Sequence, residues 1–388
     1  MEIRQIREEE METSLYLTSQ AFFHGQRDLS HLLSPNHPDL AGFGVWDEGG
    51  MQAQVIVLQY QVHMGQNVTL PMGGIAGVCC LPASRGKGYA GECLRYSLDR
   101  MREAGQAVSM LYPFSWEYYR QFGWEWIGVT RAYRVETRSL PSSPESEYVH
   151  AAMPLDREKV MKCYTQYAHR YRGLLARTAK HWNTILDDTD TNYTYTYLYE
   201  RDGETEGYLT LRDNSASLTN LREFIALTPR ALAGLLGMLR RYDMQIEKFG
   251  WRAPENDLLW NRYYHWAIQT TIQPSVQARV VDVVAALQEW QPDPGKRGEL
   301  TLKIQDEAAR WNQGVWRIQF EDGRVSVRES SANPQVEMDI QAFSQAYFGT
   351  PDIHRIRAAD RLNVYEEAGF RALSDILQGP PAWTNDDF

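Results

Sequence analysis

Arg85, Gly86, Lys87, Gly88, Tyr89, Ala90 and Gly91 form one unbroken run directly after Leu81-Pro82-Ala83-Ser84. Ahead of it, Gly74-Ile75-Ala76-Gly77-Val78-Cys79-Cys80 reads as a buried strand. Behind it, Ala90, Leu94, Leu98 and Met101 recur at helical spacing, with Arg95, Asp99, Arg102 and Glu103 on the opposite face. A strand that opens through a basic, glycine-rich turn into a helix makes an anion site. Its backbone N–H groups point outward, the helix dipole adds positive charge, and glycine lets a phosphate approach closely. The expected ligand is a phosphorylated cofactor.

Gly86-Lys87-Gly88-Tyr89-Ala90-Gly91 matches the dinucleotide pattern G-x-G-x-x-G letter for letter. That pattern needs a carboxylate at the end of the next strand. The next strand here, Ala107 to Tyr112, ends in Tyr-Pro, so a nicotinamide site is disfavoured. Lys87 is followed by Gly88 rather than Ser or Thr, so a P-loop fails as well. Arg85-Gly86-Lys87-Gly88-Tyr89-Ala90 instead resembles the R-x-x-G-x-A pyrophosphate loop of the GCN5-related N-acetyltransferases (GNAT), which bind acetyl-coenzyme A. The preceding elements agree with that resemblance. A first strand at Met1–Ile6 and a helix over Glu8–Phe22 lead to strands at Gly42–Trp46, Met51–Met64 and Asn67–Leu81. The basic loop follows this antiparallel run.

A chain of 388 residues implies two or three domains. No run of 18 apolar residues occurs and the start Met-Glu-Ile-Arg has no apolar signal region. Neither a membrane span nor export is expected, and the expected location is cytoplasmic. Cys79, Cys80, Cys93 and Cys163 lack C-x-x-C spacing and read as small core residues, so no metal is expected. The net charge of −10, with 12 Trp and 22 Tyr, argues against nucleic acid as a partner and favours cationic ones.

The Pro/Ser stretch Leu140–Glu147 marks a first boundary. Beyond it the pattern predicts a helix over Asp156–Arg172, a hairpin of Tyr193–Glu200 and Glu206–Arg212, and a strand over Leu218–Leu227. A helix over Pro229–Tyr242 follows, with Thr228 as N-cap and Pro229 at its first position. This order repeats the first domain, but Leu227-Thr228-Pro229-Arg230 carries no glycine where the basic loop would be. A second boundary falls near Ile272-Gln273-Pro274-Ser275. After it come a helix over Val281–Trp290 and strands over Gly298–Asp306, Gly314–Glu321 and Gly323–Glu329. Helices are expected over Asp339–Phe348 and Leu373–Leu377. The last segment resembles the sterol-carrier α/β fold.

Three such domains in this order resemble the Eis (enhanced intracellular survival) acetyltransferase family. The specific motifs are the Arg85 loop, Tyr118-Tyr119-Arg120-Gln121-Phe122-Gly123-Trp124, and the end Asp386-Asp387-Phe388. The resemblance implies a mixed α/β (α+β) chain of tandem GNAT-type domains and a C-terminal sterol-carrier-like domain. The divisions expected are 1–145 (catalytic), 146–274 (without a phosphate loop) and 275–388.

Acetyl transfer from a thioester to an amine requires a deprotonated amine, a polarised carbonyl and a proton for the departing thiolate. The resemblance implies that the region of Val78, Cys79 and Cys80 holds the pantetheine arm and that Arg85, Gly86, Lys87, Gly88, Tyr89, Ala90 and Gly91 cradle the pyrophosphate. Phe114 and Ser115 belong to the same cofactor-binding set. It also implies that Tyr119, rather than Tyr118, is the general acid. An ordinary tyrosine has a pKa of about 10 and is protonated at neutral pH. His24 and His63 stand isolated and read as structural. The base that the family implies is the carboxylate of the last residue, here Phe388. The eight residues after Pro380 span up to about 28 Å when extended. The acceptor class is a primary amine, of aminoglycoside, polyamine or lysine type, with Asp387 and Glu117 as candidate cation contacts. A homo-oligomer, a hexamer by resemblance, is expected. The alternative from another class is a lipid or hydrophobic-ligand carrier working through the last domain.

Overall fold

Val-, Ile- and Tyr-rich runs become strands and the amphipathic stretches become helices that cover them. The computed structural model describes residues 1–22, 40–65, 68–188, 193–212, 217–263 and 265–386. The first part holds β1 (Glu2–Gln5), α1 (Met11–Phe22), β2 (Leu40–Asp47), β3 (Gly50–Met64), β4 (Thr69–Cys80), α2 (Tyr89–Glu103), β5 (Val108–Leu111), α3 (Trp116–Arg120) and β6 (Glu125–Glu136). Strands β1 to β4 pair antiparallel in succession, and β5 joins β4 in parallel, with Met72 opposite Val108 and Ile75 opposite Leu111. Helix α2 packs Cys93, Leu94, Ser97, Leu98 and Met101 onto this sheet, one apolar stripe at the helical period.

The second part holds β7 (Val149–Ala151), α4 (Arg157–Ala168), β8 (Arg172–Leu175), α5 (Ala179–Leu186), β9 (Thr194–Arg201), β10 (Glu204–Arg212), β11 (Thr219–Ala226), α6 (Pro229–Arg240), β12 (Lys248–Pro254), α7 (Leu259–Arg262) and β13 (Ile268–Val280). Thr228 caps α6 by accepting from the Ala231 N–H, with Pro229 inside the first turn, as the sequence predicts. The helix expected to reach Arg172 stops at Ala168. Arg172 belongs instead to β8, which pairs with β3 of the first part. The stretch Leu140–Glu147, which has no apolar period, forms packed 3₁₀ turns. Ser146 is buried, and Arg240 and Arg241 bond Leu140 O and Ser146 Oγ at 2.7 and 2.8 Å.

The two parts share one sheet, in the order β1-β2-β3-β4-β5-β13-β6-β12-β11-β10-β9-β7, with β8 alongside β3. Strand β13 lies between β5 and β6 and is antiparallel to both, with Gln277 opposite Leu111 and Trp126. It runs unbroken through position 274, so the sheet does not end where the Pro-Ser signal falls.

The third part holds α8 (Val283–Glu289), β14 (Gly298–Gln305), β15 (Gly314–Glu321), β16 (Arg324–Glu329), β17 (Val336–Asp339), α9 (Ile340–Phe348), α10 (Ile353–Ala358), β18 (Leu362–Val364) and α11 (Glu367–Leu377). Its five-stranded sheet runs β16-β15-β14-β17-β18. Helix α11 starts six residues before the expected Leu373, at Glu367. Phe343, Tyr347 and Phe348 are fully buried in one apolar cluster with Leu300, Leu302 and Ile318.

His63, near the end of β3, is buried with its ring 5.2 Å from that of His169. Burial, reinforced by His169 and only partly opposed by Asp386, pushes its pKa down from 6.5 to about 4. The unfolded chain takes up this proton near pH 6.5 and the folded chain only near pH 4, so acid favours unfolding. This histidine is expected to remove about 3 kcal/mol of stability as pH falls through that window. Urea titrations at pH 7 and pH 4.5 should show a shallower acid loss for His63→Phe than for the parent. Identical slopes would contradict the assignment.

Candidate active site

Strand β5 ends at Leu111, whereas its parallel neighbour β4 continues to Cys80. A gap therefore opens beside residues 76–80. Across β3 the register passes from Ile56–Ala76 to Gln54–Cys79, so β4 carries one extra residue there. This is a β-bulge, which bends a strand and re-aims its peptide groups. Gly77 sits in it at φ +57°, and a Cβ there would lie 2.8 Å from the Ile56 side chain. Both conformation and space demand glycine at this point.

Beyond the bulge the chain turns through Gly86 and Gly88, at φ +82° and +83°, into α2. A Cβ at either glycine would meet nothing within 4 Å, so the requirement is conformational. The first intrahelical bond runs from Glu92 N to Gly88 O, leaving the preceding N–H groups at the open end of α2. Tyr89 Oη donates to Asp47 Oδ2 at 2.9 Å and Ser84 Oγ to Gln52 Oε1 at 2.5 Å, tying the turn to β2 and β3. Basic Arg85 and Lys87 stand in this turn.

A cavity of about 700 Å³ occupies the gap. Of the residues expected to bind cofactor, Val78, Cys79, Cys80, Arg85 and Gly86 line it, as do Gly88, Tyr89, Ala90 and Phe114. Lys87, Gly91 and Ser115 lie off the wall. Lys87 sits 5.9 Å from the Tyr89 ring centre. Gly91 lets α2 approach Phe122, which a Cβ would meet at 2.9 Å. Ser115 caps α3, accepting from Tyr118 N at 3.3 Å. Ala21, Phe22, Ser84 and Tyr118 complete the lining. Nothing local marks the two α1 residues, which tertiary packing alone brings to the cavity.

Tyr119 is 3% exposed, and its ring packs against those of Phe114 and Tyr118, both at 5.3 Å. Burial, then neighbouring Tyr118, pushes its phenol well above the ordinary value, so it holds its proton through alkaline pH. Burial pushes the Tyr118 phenol up as well. The Cys79 thiol is pushed up to about 12 by burial, and Cys80 moves the same way although Arg85 and Lys87 oppose it. These sulfurs stay protonated at neutral pH and are poor nucleophiles.

The chain end is docked rather than frayed as far as it is described. Trp383 is 2% exposed and its N–H donates to Arg172 O at 2.9 Å. The Asp386 carboxylate accepts from Arg177 Nε at 2.7 Å, Leu175 N at 3.0 Å and Tyr164 Oη at 3.2 Å. Arg177 also pairs with Glu223 and is buried with it. Tyr112, the residue after β5, donates to Asp386 O at 2.6 Å. Asp387 and Phe388, like His24, lie outside the described residues.

Family comparison agrees with this geometry. Residues 2–127 match an acetyltransferase (GNAT) domain, 173–280 a second GNAT domain, and 283–385 a sterol carrier protein domain. An uncharacterized N-acetyltransferase of Streptomyces avermitilis is 23% identical over 341 residues, 82% of each chain. One from Streptomyces coelicolor is 21% identical over 348 residues, again 82% of each chain. A GCN5-related N-acetyltransferase from Anabaena variabilis shares the fold over the full length of both chains, with TM-score 0.88 at 21% identity. Eis1 from Mycobacterium abscessus does so with TM-score 0.80 at 19% identity, again over the full length of both. The bulged strand, glycine turn and open cleft of the first GNAT domain define an acyltransferase. The chain carries two GNAT acetyltransferase domains followed by a sterol-carrier-like domain, and it shares its overall fold with Eis1. GNAT domains use acetyl-coenzyme A. Among the described residues, no helix is long and apolar enough to cross a membrane, and no metal-binding cluster occurs.

Gly88→Glu places bulk and negative charge in the turn and forces a left-handed backbone on a side chain, at a cost of roughly 1–2 kcal/mol. The variant is expected to stay folded and to lose coenzyme A affinity, read by calorimetry beside circular dichroism. Retained affinity in a folded variant would remove the turn from the site.

Proposed function

We propose that the first domain transfers the acetyl group of acetyl-coenzyme A to a primary amine of aminoglycoside, polyamine or lysine type. The observation that carries this is one cleft lined by Val78–Cys80 beside the bulge, by Arg85, Gly86, Gly88, Tyr89 and Ala90 of the turn, and by Tyr118, against which Tyr119 packs. Peptide groups around Val78 and Cys80 orient the pantetheine arm and polarise the thioester carbonyl, while Arg85 and the turn amides hold the pyrophosphate. The amine attacks the carbonyl carbon, and the C–S bond breaks as the tetrahedral adduct collapses. Tyr119 supplies the proton to the departing sulfur, a role supported by the burial that keeps its phenol protonated. The high thiol pKa values of Cys79 and Cys80 favour direct transfer over an acyl-cysteine route.

The base in this proposal is the carboxylate of Phe388. Its support is the anchoring of Asp386, two residues earlier, against Tyr112 at the end of β5. The sheet shared by the first two domains makes the second a scaffold for the first, and the third delivers the tail. The family resemblance adds hexameric assembly and a cytoplasmic location, to be tested by light scattering and fractionation.

Tyr118 lines the cavity wall and Tyr119 does not, so the two must be compared directly. Tyr119→Phe is expected to lower kcat about 10²-fold or more with little change in coenzyme A affinity, and Tyr118→Phe to be mild. Reversed effects would move the acid to Tyr118, and equal effects would indicate packing. Because burial raises the Tyr119 pKa, its titration should produce no alkaline decline in kcat up to pH 9.5.

The terminal carboxylate has its own test. Converting the Phe388 carboxylate to an amide, by ligating a synthetic tail, should cut kcat strongly while coenzyme A binding persists. Full activity in the amidated protein would exclude this base.

A further inference from the structure

The second GNAT domain contains a cleft in the place that the first uses for its glycine turn. Strands β11 and β12 run parallel but pair only at Thr219–Phe249 and Asn220–Gly250, and then separate. Helix α6 starts from the end of β11, as α2 starts after β4. No glycine turn is present, since Thr228 and Pro229 enter the helix directly. A cavity of about 240 Å³ remains in the opening. That lies below the range of about 300–1,000 Å³ common for drug-sized ligands, so a small metabolite fits and a nucleotide cofactor does not.

Its wall combines rings and two opposite charges. Phe224 and Trp251 stack at 5.3 Å, and Tyr167 and Tyr171 meet at 5.0 Å. Arg170 and Asp257 also line the cavity. Arg170 donates to Leu227 O at 2.9 Å, and among the described residues it has no carboxylate partner. Asp257 accepts from Tyr133 Oη at 3.0 Å and Leu259 N at 2.8 Å, and has no ion-pair partner among them. Burial above all pushes the phenols of Tyr167 and Tyr171 up, and in both Asp257 adds to the rise while Arg170 opposes it. The two charges face one space without meeting each other.

A lone cation would be repelled by Arg170 and a lone anion by Asp257. A molecule carrying both charges satisfies both. We propose that this cavity binds a small zwitterion of the amino-acid class, its carboxylate on Arg170, its ammonium on Asp257 and its apolar part against the aromatic rings. Guanidinium–carboxylate pairing at one end and ammonium–carboxylate pairing at the other supply the selectivity. The site is separate from the acetyl-transfer cleft and does not depend on it.

The test is calorimetric titration of the full chain with L-leucine, L-methionine and L-phenylalanine. Each is compared with the amine and the carboxylic acid made by deleting one of its charged groups. At least one amino acid should bind saturably and at least tenfold tighter than both of its deleted analogues. Arg170→Gln, at an exposed position that leaves the fold intact, should weaken it tenfold or more. Asp257→Asn should do the same where it folds, and Gly88→Glu should leave it unchanged. Absence of binding by all three amino acids, analogues that bind as tightly, or undiminished affinity in Arg170→Gln would each overturn the proposal.

Discussion

Arg177 lies buried between two carboxylates, Asp386 from the chain end and Glu223 from β11, and the relation of the tail to the rest of the protein depends on it. Burial opposes its charge, but Asp386 and Glu223 more than offset this and hold it firmly protonated. The guanidinium lies 3.7 Å from the centre of the Tyr164 ring, whose hydroxyl also reaches Asp386. Tyr208 completes the set by donating to Glu223 at 2.6 Å. A buried pair of this kind is no large net source of stability, yet removing one partner typically costs about 3–5 kcal/mol. It holds Asp386 against Arg177, Leu175 and Tyr164.

A second buried guanidinium, five residues earlier, has no carboxylate partner among the described residues. Arg172 donates to Tyr347 O at 2.6 Å and Leu377 O at 2.8 Å, the last turns of α9 and α11. Carbonyls at helix C-termini lack intrahelical partners and carry the negative end of the dipole, so a cation fits there. Trp290 covers the group at 4.3 Å, and burial lowers its pKa to about 10, still charged at neutral pH. Arg172 and Arg177 bracket β8, which itself pairs with β3. One short segment therefore joins the first domain, the helices of the third and the chain end.

Packing makes the same connection. Met64, Met72 and Met110 of the first sheet belong to one apolar cluster with Phe343, Tyr347 and Leu373 of the third part. Arg279 on β13 pairs with buried Asp306 after β14 and also bonds Phe122 O, beside the tyrosine segment. Moving the third part would disturb both the segment that follows the two tyrosines and the docking of Trp383 and Asp386.

What was legible in the sequence was local. The Arg85–Ala90 turn, the α2 stripe and the Thr228 cap each depend on residues within about one helix or turn of one another, where backbone preference and period decide. The insertion of β13 between β5 and β6 was not legible, because strand pairing carries no address and Pro274 looked like a boundary. Gly77 read as one more strand residue until the register across β3 exposed the bulge. Arg177 and Asp386 stand 209 positions apart, and neither alone differs from an ordinary surface charge. The sequence by itself determined the elements and the loop that suits a pyrophosphate. Only the tertiary structure decided which strands share the sheet, which tyrosine faces the cavity and where the tail docks, because those outcomes depend on burial and pairing between distant segments.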